Sequence, residues 1–358
     1  MPEAIDNTST VAVIEGDDAS PEVVRPTVEL LTDMRLGLEW VYPLVGEDAE
    51  REHGSPMPDV SKRVIDEADT ALFGSTSGKS SAALFYLRWG KKTFANVRPC
   101  VHFPGCASPL SKPDGIDFAI VRENLEDLYV RAEGDLSALA PLNIRSTTSG
   151  AMLHDMAPGK YAVKAITEAG SERVIRFAFE LARKRAGKKR VIATQKHNML
   201  ATSDGLFKEV AEGVAADYPD ITFETYIIDD FACRLLTEPQ RFDVVVMPNL
   251  YGDILSDAAA GLVGSLGMAA SGCYGEGYAY FESAHGTAPD LVGQGVINPT
   301  ATLLTACMML RELQHDVAAA RIEAGVRAVY AEGKHLTPDQ GGSATTSDFI
   351  EALRARVL

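Results

Sequence analysis

Cysteine is scarce in this chain of 358 residues: Cys100, Cys106, Cys233, Cys273 and Cys307 are an odd number, widely scattered, with no CxxC pair among them. That excludes a zinc site built on paired cysteines and offers no disulfide framework, which leaves buried or incidental thiols. Positive charge is short as well. Against 50 acidic side chains stand 34 basic ones, a formal charge of -16, so the basic face that nucleic acid or an anionic membrane needs is missing, and neither is expected as a partner. No apolar run approaches the roughly 18 residues of a membrane span. The segment Met1 to Thr10 is polar and acidic, without the basic and apolar regions of a signal peptide, so a cytoplasmic location is expected.

Two nucleotide signatures are also missing. Gly74-Ser-Thr-Ser-Gly-Lys-Ser80 resembles a phosphate loop, but three residues separate its glycines where the motif needs four, and Phe73 stands where the first glycine should be. An ATPase reading falls on that spacing. Glu15-Gly-Asp-Asp-Ala-Ser-Pro-Glu22 carries one glycine and four acids where a GxGxxG would follow the first strand, a poor lining for a pyrophosphate. A dinucleotide, if bound, must be held without the common Rossmann fingerprint.

What the chain does have is a regular alternation of short apolar runs and amphipathic stretches. Val11–Ile14, Ala71–Phe73, Phe118–Val121, Arg190–Thr194, Phe223–Ile228 and Phe242–Met247 read as strands. Pro21–Met34, with Ser20 at a plausible N-cap, and Ser171–Ala186, Gly205–Ala216 and Pro299–Leu313 read as helices. Interleaving of this kind predicts an α/β fold with a largely parallel sheet. Breaks are expected at the Pro/Gly-rich Arg98–Asp114 and at the glycine-rich Ser271–Gly277, and Gly134–Gly159 reads as one long irregular segment.

Two constellations carry chemistry. Asp253 and Asp257, four residues apart in Asn249-Leu-Tyr-Gly-Asp-Ile-Leu-Ser-Asp257, fall on one helix face and can share a hard cation such as Mg²⁺ or Mn²⁺. The plainer alternative is two acids that favour a helix N-terminus electrostatically. Arg88, Arg98 and Arg122 lie near probable strand ends, and guanidinium forks that converge suit a di- or tricarboxylate inside an acidic protein. Arg122 follows the apolar run Phe118–Val121, so the sheet rather than a mobile loop should place it.

Phe242–Gly267, Glu282-Ser-Ala-His-Gly-Thr-Ala-Pro-Asp290 and Asn298-Pro299 together resemble the β-decarboxylating dehydrogenases, the isocitrate, isopropylmalate and homoisocitrate dehydrogenase family. The likeness extends through Leu87-Arg88, Ala95-Asn-Val-Arg-Pro99, Val121-Arg-Glu-Asn-Leu-Glu-Asp-Leu-Tyr129, Lys196-His-Asn198 and Leu336-Thr-Pro-Asp-Gln-Gly-Gly342, most of the chain and in the right order. The resemblance implies a two-domain fold with a non-classical dinucleotide site. Its large domain would be discontinuous, residues 1–105 plus 272–358, and residues 106–271 would form a small dimerisation domain with an intersubunit arm near 134–159.

It implies a homodimer with active sites shared between subunits, NAD and a divalent ion as cofactors, and a hydroxy-carboxylate as substrate. Position by position, Arg88, Arg98 and Arg122 match the arginines that hold the substrate's carboxylates. Asp253 and Asp257 match metal ligands, with Asp229 the metal-site aspartate contributed across the dimer. Tyr129 and Lys196 match the catalytic acid and base, Lys196 also reaching across. Asn198, the loop His285, Gly286, Thr287, Ala288, Pro289 and Asp290, and Asn298 match the cofactor site. A carboxylate at Asp290 can accept from both ribose hydroxyls and would repel a 2′-phosphate, which favours NAD over NADP; the plainer alternative is that Asp290 caps the turn after it.

The family usually has Gly-Asp-Gly-Ile-Gly-Pro-Glu where this chain has Gly16-Asp-Asp-Ala-Ser-Pro-Glu22, a loss of two glycines beside the expected cofactor. The segment between Gly74 and Arg88, where the family selects the substituent on the substrate's third carbon, is short. Lys79, Ser80 and Ser81 suit an anionic substituent, as in isocitrate or a phosphonate analogue, whereas Leu84 and Phe85 suit an alkyl group, as in isopropylmalate. The wording from Arg122 to Tyr129 favours the isocitrate and homoisocitrate branch. Tartrate, D-malate and a non-catalytic regulatory subunit stay open as alternatives, although the tyrosine, lysine and acids that a regulatory relative tends to lose are all present.

Overall fold

A computed structural model of the chain describes residues 8–358. Its strands are β1 (Ser9–Ile14), β2 (Leu38–Val41), β3 (Thr70–Phe73), β4 (Ala95–Val101), β5 (Asp117–Glu123), β6 (Glu133–Asp135), β7 (Lys160–Ala162), β8 (Arg190–Gln195), β9 (Thr222–Ile227), β10 (Val244–Met247), β11 (Ala270–Tyr274) and β12 (Ala279–Ser283). Ten of them form one sheet in the order β2-β1-β3-β12-β11-β4-β5-β10-β8-β9. Both wings are parallel, as the alternation of elements predicts. The middle is not: β12 with β11, β11 with β4 and β4 with β5 pair antiparallel.

The reason lies in connection length. Parallel neighbours need a crossover, usually helical, whereas β11 and β12 are joined by a tight turn containing Gly275 and Gly277, which permits only antiparallel pairing. The glycine-rich Ser271–Gly277 is therefore strand and hairpin turn rather than a break. Arg98–Asp114 is corrected in the same way, because its start is the end of β4. Pro99 is tolerated there since β11 covers only Ala95–Val97 of β4, so the missing N–H leaves no partner unsatisfied on that side.

Strand alternation builds a core on each face of each wing. On one wing Val11, Val13, Leu72 and Phe281 point toward the helices Thr300–Glu312 and Asp316–Glu332, while Ala12, Ile14, Phe73 and Tyr280 point to the opposite face. On the other, Val121, Val191, Val244 and Val246 pack on Phe179 of helix Glu168–Arg185, while Phe118, Ile120, Ile192 and Val245 pack on Phe231 and Phe242. The first wing draws on both ends of the chain and the second on its middle. The segment read as irregular holds the small antiparallel pair β6/β7 and single helical turns, and carries exposed Leu142, Ile144 and Met156. No helix among the described residues is long and apolar enough to cross a membrane.

One buried charge cluster ties the elements that position the site. Asp127 and Asp204 are fully buried, and Lys164 bridges them at 3.5 and 2.5 Å. Asp127 also accepts from the Leu250 backbone N–H (2.9 Å), and Asp204 from the Lys196 N–H (2.7 Å) and the Tyr251 hydroxyl (3.1 Å). Lys164 completes the group over the Tyr251 ring at 4.5 Å. The start of helix Asn249–Leu262 and the end of β8 are thus fixed to the same three charges. Removing the cation leaves two buried carboxylates unanswered, so Lys164→Met should destabilise the protein by about 3–5 kcal/mol, measured as a shift in the denaturant midpoint.

Candidate active site

β4 and β5 place two arginines beneath one face of helix Asn249–Leu262. Arg122, on β5, is 1% exposed; its Nε donates to Asn249 Oδ1 (2.9 Å) and its Nη1 pairs with Asp253. Arg98, on β4, donates from Nη1 to Asp257 Oδ1 (2.9 Å) and Ser256 Oγ (2.7 Å), and from Nη2 to Asp253 Oδ1 (3.3 Å). Its Nε is held by Asn96 Oδ1 at 2.8 Å. The helix can come this close because residue 252 is glycine, where a Cβ would lie 2.6 Å from the Cβ of Arg122. Since the helix starts at Asn249, neither Asp253 nor Asp257 stands in its first turn, and the alternative that they serve the helix N-terminus is removed.

Tyr129 closes the group. Its hydroxyl donates to Asp253 Oδ2, and its ring lies 4.9 Å from the Arg122 guanidinium. Burial and the bond to Asp253 hold this phenol above its ordinary range, against the pull of Arg122 and Arg88, so it keeps its proton. Burial, with repulsion from Arg98 and Arg88, pushes Arg122 down to about 10. Burial also acts to raise Asp253, but Arg122, the Tyr129 hydrogen bond and Arg98 outweigh it and the carboxyl sits below the usual range. Asp257, where burial prevails over Arg98, sits above it.

Arg88 lies in a π-helical turn, Tyr86–Gly90, a geometry frequent at functional positions. It is 7% exposed and reaches Glu282 at 3.7 Å, and its Nε has no partner. Burial opposes its charge, yet Tyr280 and Glu282 hold its pKa above the usual value.

The other half of the expected chemistry stands elsewhere. Lys196, just beyond β8, pairs with Asp229 Oδ1 at 2.5 Å, and Asp229 begins helix Ile228–Thr237. No hydrogen bond or ion pair joins these two to Asp253 or Asp257, and no cluster of three or more metal-ligating side chains forms among the described residues. As a test of fit to a divalent ion, Asp253 and Asp257 supply hard oxygen donors on one helix face but only part of a coordination shell.

The expected cofactor loop is held from behind by the altered N-terminal loop. Glu22 accepts from the Gly293 and Gly295 N–H groups (2.6 and 3.0 Å), and the Ala19 N–H donates to the Thr287 carbonyl (3.1 Å). Gly16 (φ +82°) has no room for a side chain, since a Cβ there would lie 2.2 Å from the Ser75 carbonyl oxygen. Asp18 adopts φ +53° where the family has glycine, so the turn survives the substitution. Ser20 marks the helix start as expected, but its hydroxyl donates to the Glu15 carbonyl (2.9 Å) and accepts from the Ser75 N–H (2.9 Å) instead of capping.

In the loop itself, His285 Nδ1 lies 3.0 Å from the Gly286 carbonyl oxygen, Nε2 is without a partner, and burial lowers the pKa of the ring, which favours the neutral imidazole. Gly286, Ala288 and Pro289 shape the turn that exposes Asp290, whose carboxylate accepts no hydrogen bond among the described residues, so it does not cap the turn after it. Asn298 is buried and committed, donating to Tyr330 Oη (3.0 Å) and Asp339 Oδ2 (3.0 Å) and accepting from the Thr300 N–H (3.0 Å). Asn198 is exposed near Lys196, and no hydrogen bond joins it to the 285–298 loop.

In the segment before Arg88, Lys79 pairs with Glu50 and the Ser80 hydroxyl donates to Asp17 Oδ1 (3.0 Å), so both are occupied. Ser81 and Leu84 belong to the short helix Ser81–Phe85 and are half-buried, and Phe85 is exposed. The sequence reading missed Asn96, Asn249 and Gly252, which aim the arginines, and Glu282, which pairs with Arg88. The signal available for Gly252 was a glycine inside a helix immediately before a candidate metal ligand.

The family described as isocitrate/isopropylmalate dehydrogenase matches residues 10–353. The chain is 39% identical over 344 residues to a 3-isopropylmalate dehydrogenase of Archaeoglobus fulgidus, spanning 95% of this chain and 96% of that protein. It is 38% identical over 349 residues to an isocitrate/homoisocitrate dehydrogenase of Thermus thermophilus, spanning 96% and 97%. The crystal structure of isocitrate dehydrogenase from Methylococcus capsulatus superimposes with a TM-score of 0.85 at 34% identity, covering 98% of this chain and 99% of the other. With arginines and carboxylates gathered on one helix face and the match running nearly end to end, the chain belongs to the isocitrate/isopropylmalate dehydrogenase family of decarboxylating oxidoreductases.

Proposed function

We propose that this protein carries out the NAD-linked, Mg²⁺- or Mn²⁺-dependent oxidative decarboxylation of a 3-substituted malate, with an isocitrate- or homoisocitrate-like substrate favoured. The observation that carries this reading is the assembly of Arg98, Arg122 and Tyr129 around Asp253 and Asp257. Guanidinium groups bind carboxylates bidentately, so substrate carboxylates displace the aspartates from Arg98 and Arg122 and free those acids as ligands. Asp253 and Asp257 would hold the divalent ion, which would supply Lewis acidity, and NAD would supply the hydride acceptor.

The chain's own groups then divide the proton work. Lys196 takes the proton of the C2 hydroxyl, directly or through a water, and Tyr129, which keeps its proton, returns one to the carbon that loses CO₂. Arg88, Arg98 and Arg122 fix the carboxylates so that the bond to be broken is held in one orientation. The residues that would hold the cofactor are His285–Asp290, with the Asp290 carboxylate, unpaired among the described residues, available to ribose hydroxyls.

Because Lys196 and Asp229 pair with each other away from Asp253 and Asp257, each site is read as completed by Lys196 and Asp229 of the partner subunit in a homodimer. The exposed Leu142, Ile144 and Met156 on the 134–159 segment support its reading as the arm between subunits, and residues 106–271 as the dimerisation domain beside a discontinuous domain of 1–105 plus 272–358.

NADH formation from a panel of isocitrate, homoisocitrate, isopropylmalate, tartrate and D-malate tests the reading, with turnover of at least one acid that disappears on chelation of the metal. Absence of turnover across the panel contradicts it. Lys196→Met should lower kcat by about 10³-fold while the melting temperature stays within a few degrees. Asp290→Lys should raise the KM for NAD and improve use of NADP, and an unchanged preference would remove Asp290 from cofactor selection.

A further inference from the structure

Arg131 is the unexpected residue near this site. It ends the helical turn Leu128–Val130, two residues beyond Tyr129, with a left-handed φ of +56°, a conformation that disfavours any side chain with a Cβ. Its guanidinium lies 5.3 Å from the Phe85 ring, Phe85 packs on Trp89 with centroids 5.4 Å apart, and Trp89 lies 5.4 Å from the guanidinium of Arg88. Contacts therefore run without a gap from a substrate arginine, along the segment Ser81–Gly90, to Arg131. In a chain with 50 acidic side chains, Arg131 has no carboxylate within 4.0 Å among the described residues. Of the other polar groups suited to an anion here, Lys79 and Ser80 are already engaged by Glu50 and Asp17, and Ser81 offers a hydroxyl but no charge.

We infer that Arg131 reads the substituent on the substrate's third carbon and that this substituent ends in an anion, a carboxylate or a phosphonate. The inference rests on the dehydrogenase reading above and adds to it the residue that selects the substituent. Arg131 is exposed, and the Phe85 ring, backed by Trp89, covers one face of its guanidinium, which leaves its fork free for bidentate contact with an anion. An alkyl substituent at the same place would take water from Arg131 and return no hydrogen bond, so the site discriminates against it. Phe85, 40% exposed, forms a wall of the substituent site beside Leu84 and does not set its polarity.

The test is initial-rate kinetics on the full-length protein with NAD and Mg²⁺, using malates that carry a carboxymethyl, a phosphonomethyl, an isopropyl or no substituent. The wild type should favour an anionic substituent over isopropyl by about tenfold or more in kcat/KM, and the better of the two anions identifies the group recognised. Arg131→Gln should lose about tenfold on that substrate, mainly through KM, with unsubstituted malate held within about twofold, and Arg131→Lys should recover part of the loss. Arg131→Gly, which suits φ +56°, should show the same selective loss in a fold that is not in question. Unchanged discrimination in Arg131→Gln, or a wild type that prefers isopropylmalate, overturns the inference and leaves the dehydrogenase reading in place. A wild type silent on all four acids and on the homoisocitrate and tartrate of the panel above overturns both.

Discussion

Arg122 is a guanidinium almost wholly withdrawn from water, and its charge has to be answered where it stands. The answer is a carboxylate on a helix that can approach β5 only because residue 252 has no side chain. That contact places Asp253, and through the helical repeat Asp257, over the sheet. Asn249 holds Arg122 from the start of the same helix, Arg98 bridges both aspartates from the neighbouring strand, and Tyr129 adds its hydroxyl. On the proposed reading, a site this dense in opposite charges is preorganised for an anionic substrate and a cation, with its arginines and aspartates exchanging partners without being moved into place.

The same close packing separates the remaining groups. Lys196 and Asp229 stand at the ends of β8 and β9, paired with each other, while the cluster of Lys164, Asp127 and Asp204 holds the Lys196 backbone and the start of helix Asn249–Leu262 in a fixed relation. One chain thus presents two incomplete sets of functional groups on a rigid support. A symmetric pair of chains can complete both, each set meeting its complement across a two-fold axis.

Much of this was legible in the sequence. The inner strands of both wings are buried on both faces, and their unbroken apolar character marks them, as at Phe118–Val121 and Val244–Met247. The antiparallel centre was hidden because Pro99 in β4 and the glycines around β11 and β12 carry the composition of loops, and only pairing with neighbours distant in sequence makes them strands. Arg88, Arg98, Arg122, Asp253 and Asp257 stood out as charges at the ends of apolar runs or at helical spacing. Asn96, Gly252 and Glu282 did not, since each acts by what lies opposite it in space. Arg131 carries no signal in the sequence, because its left-handed backbone and its contact with Phe85 exist only in the folded chain.

Complementation between two inactive variants bears most directly on the claim that two chains make each site. On the proposed reading, Asp253→Asn removes a group from a chain's own site, and Lys196→Met removes one that serves the neighbour's. The account predicts that neither variant alone turns over substrate and that dimers containing one chain of each recover about half the wild-type rate, because one of their two sites is then intact. Mixed dimers as inactive as their parents would contradict it.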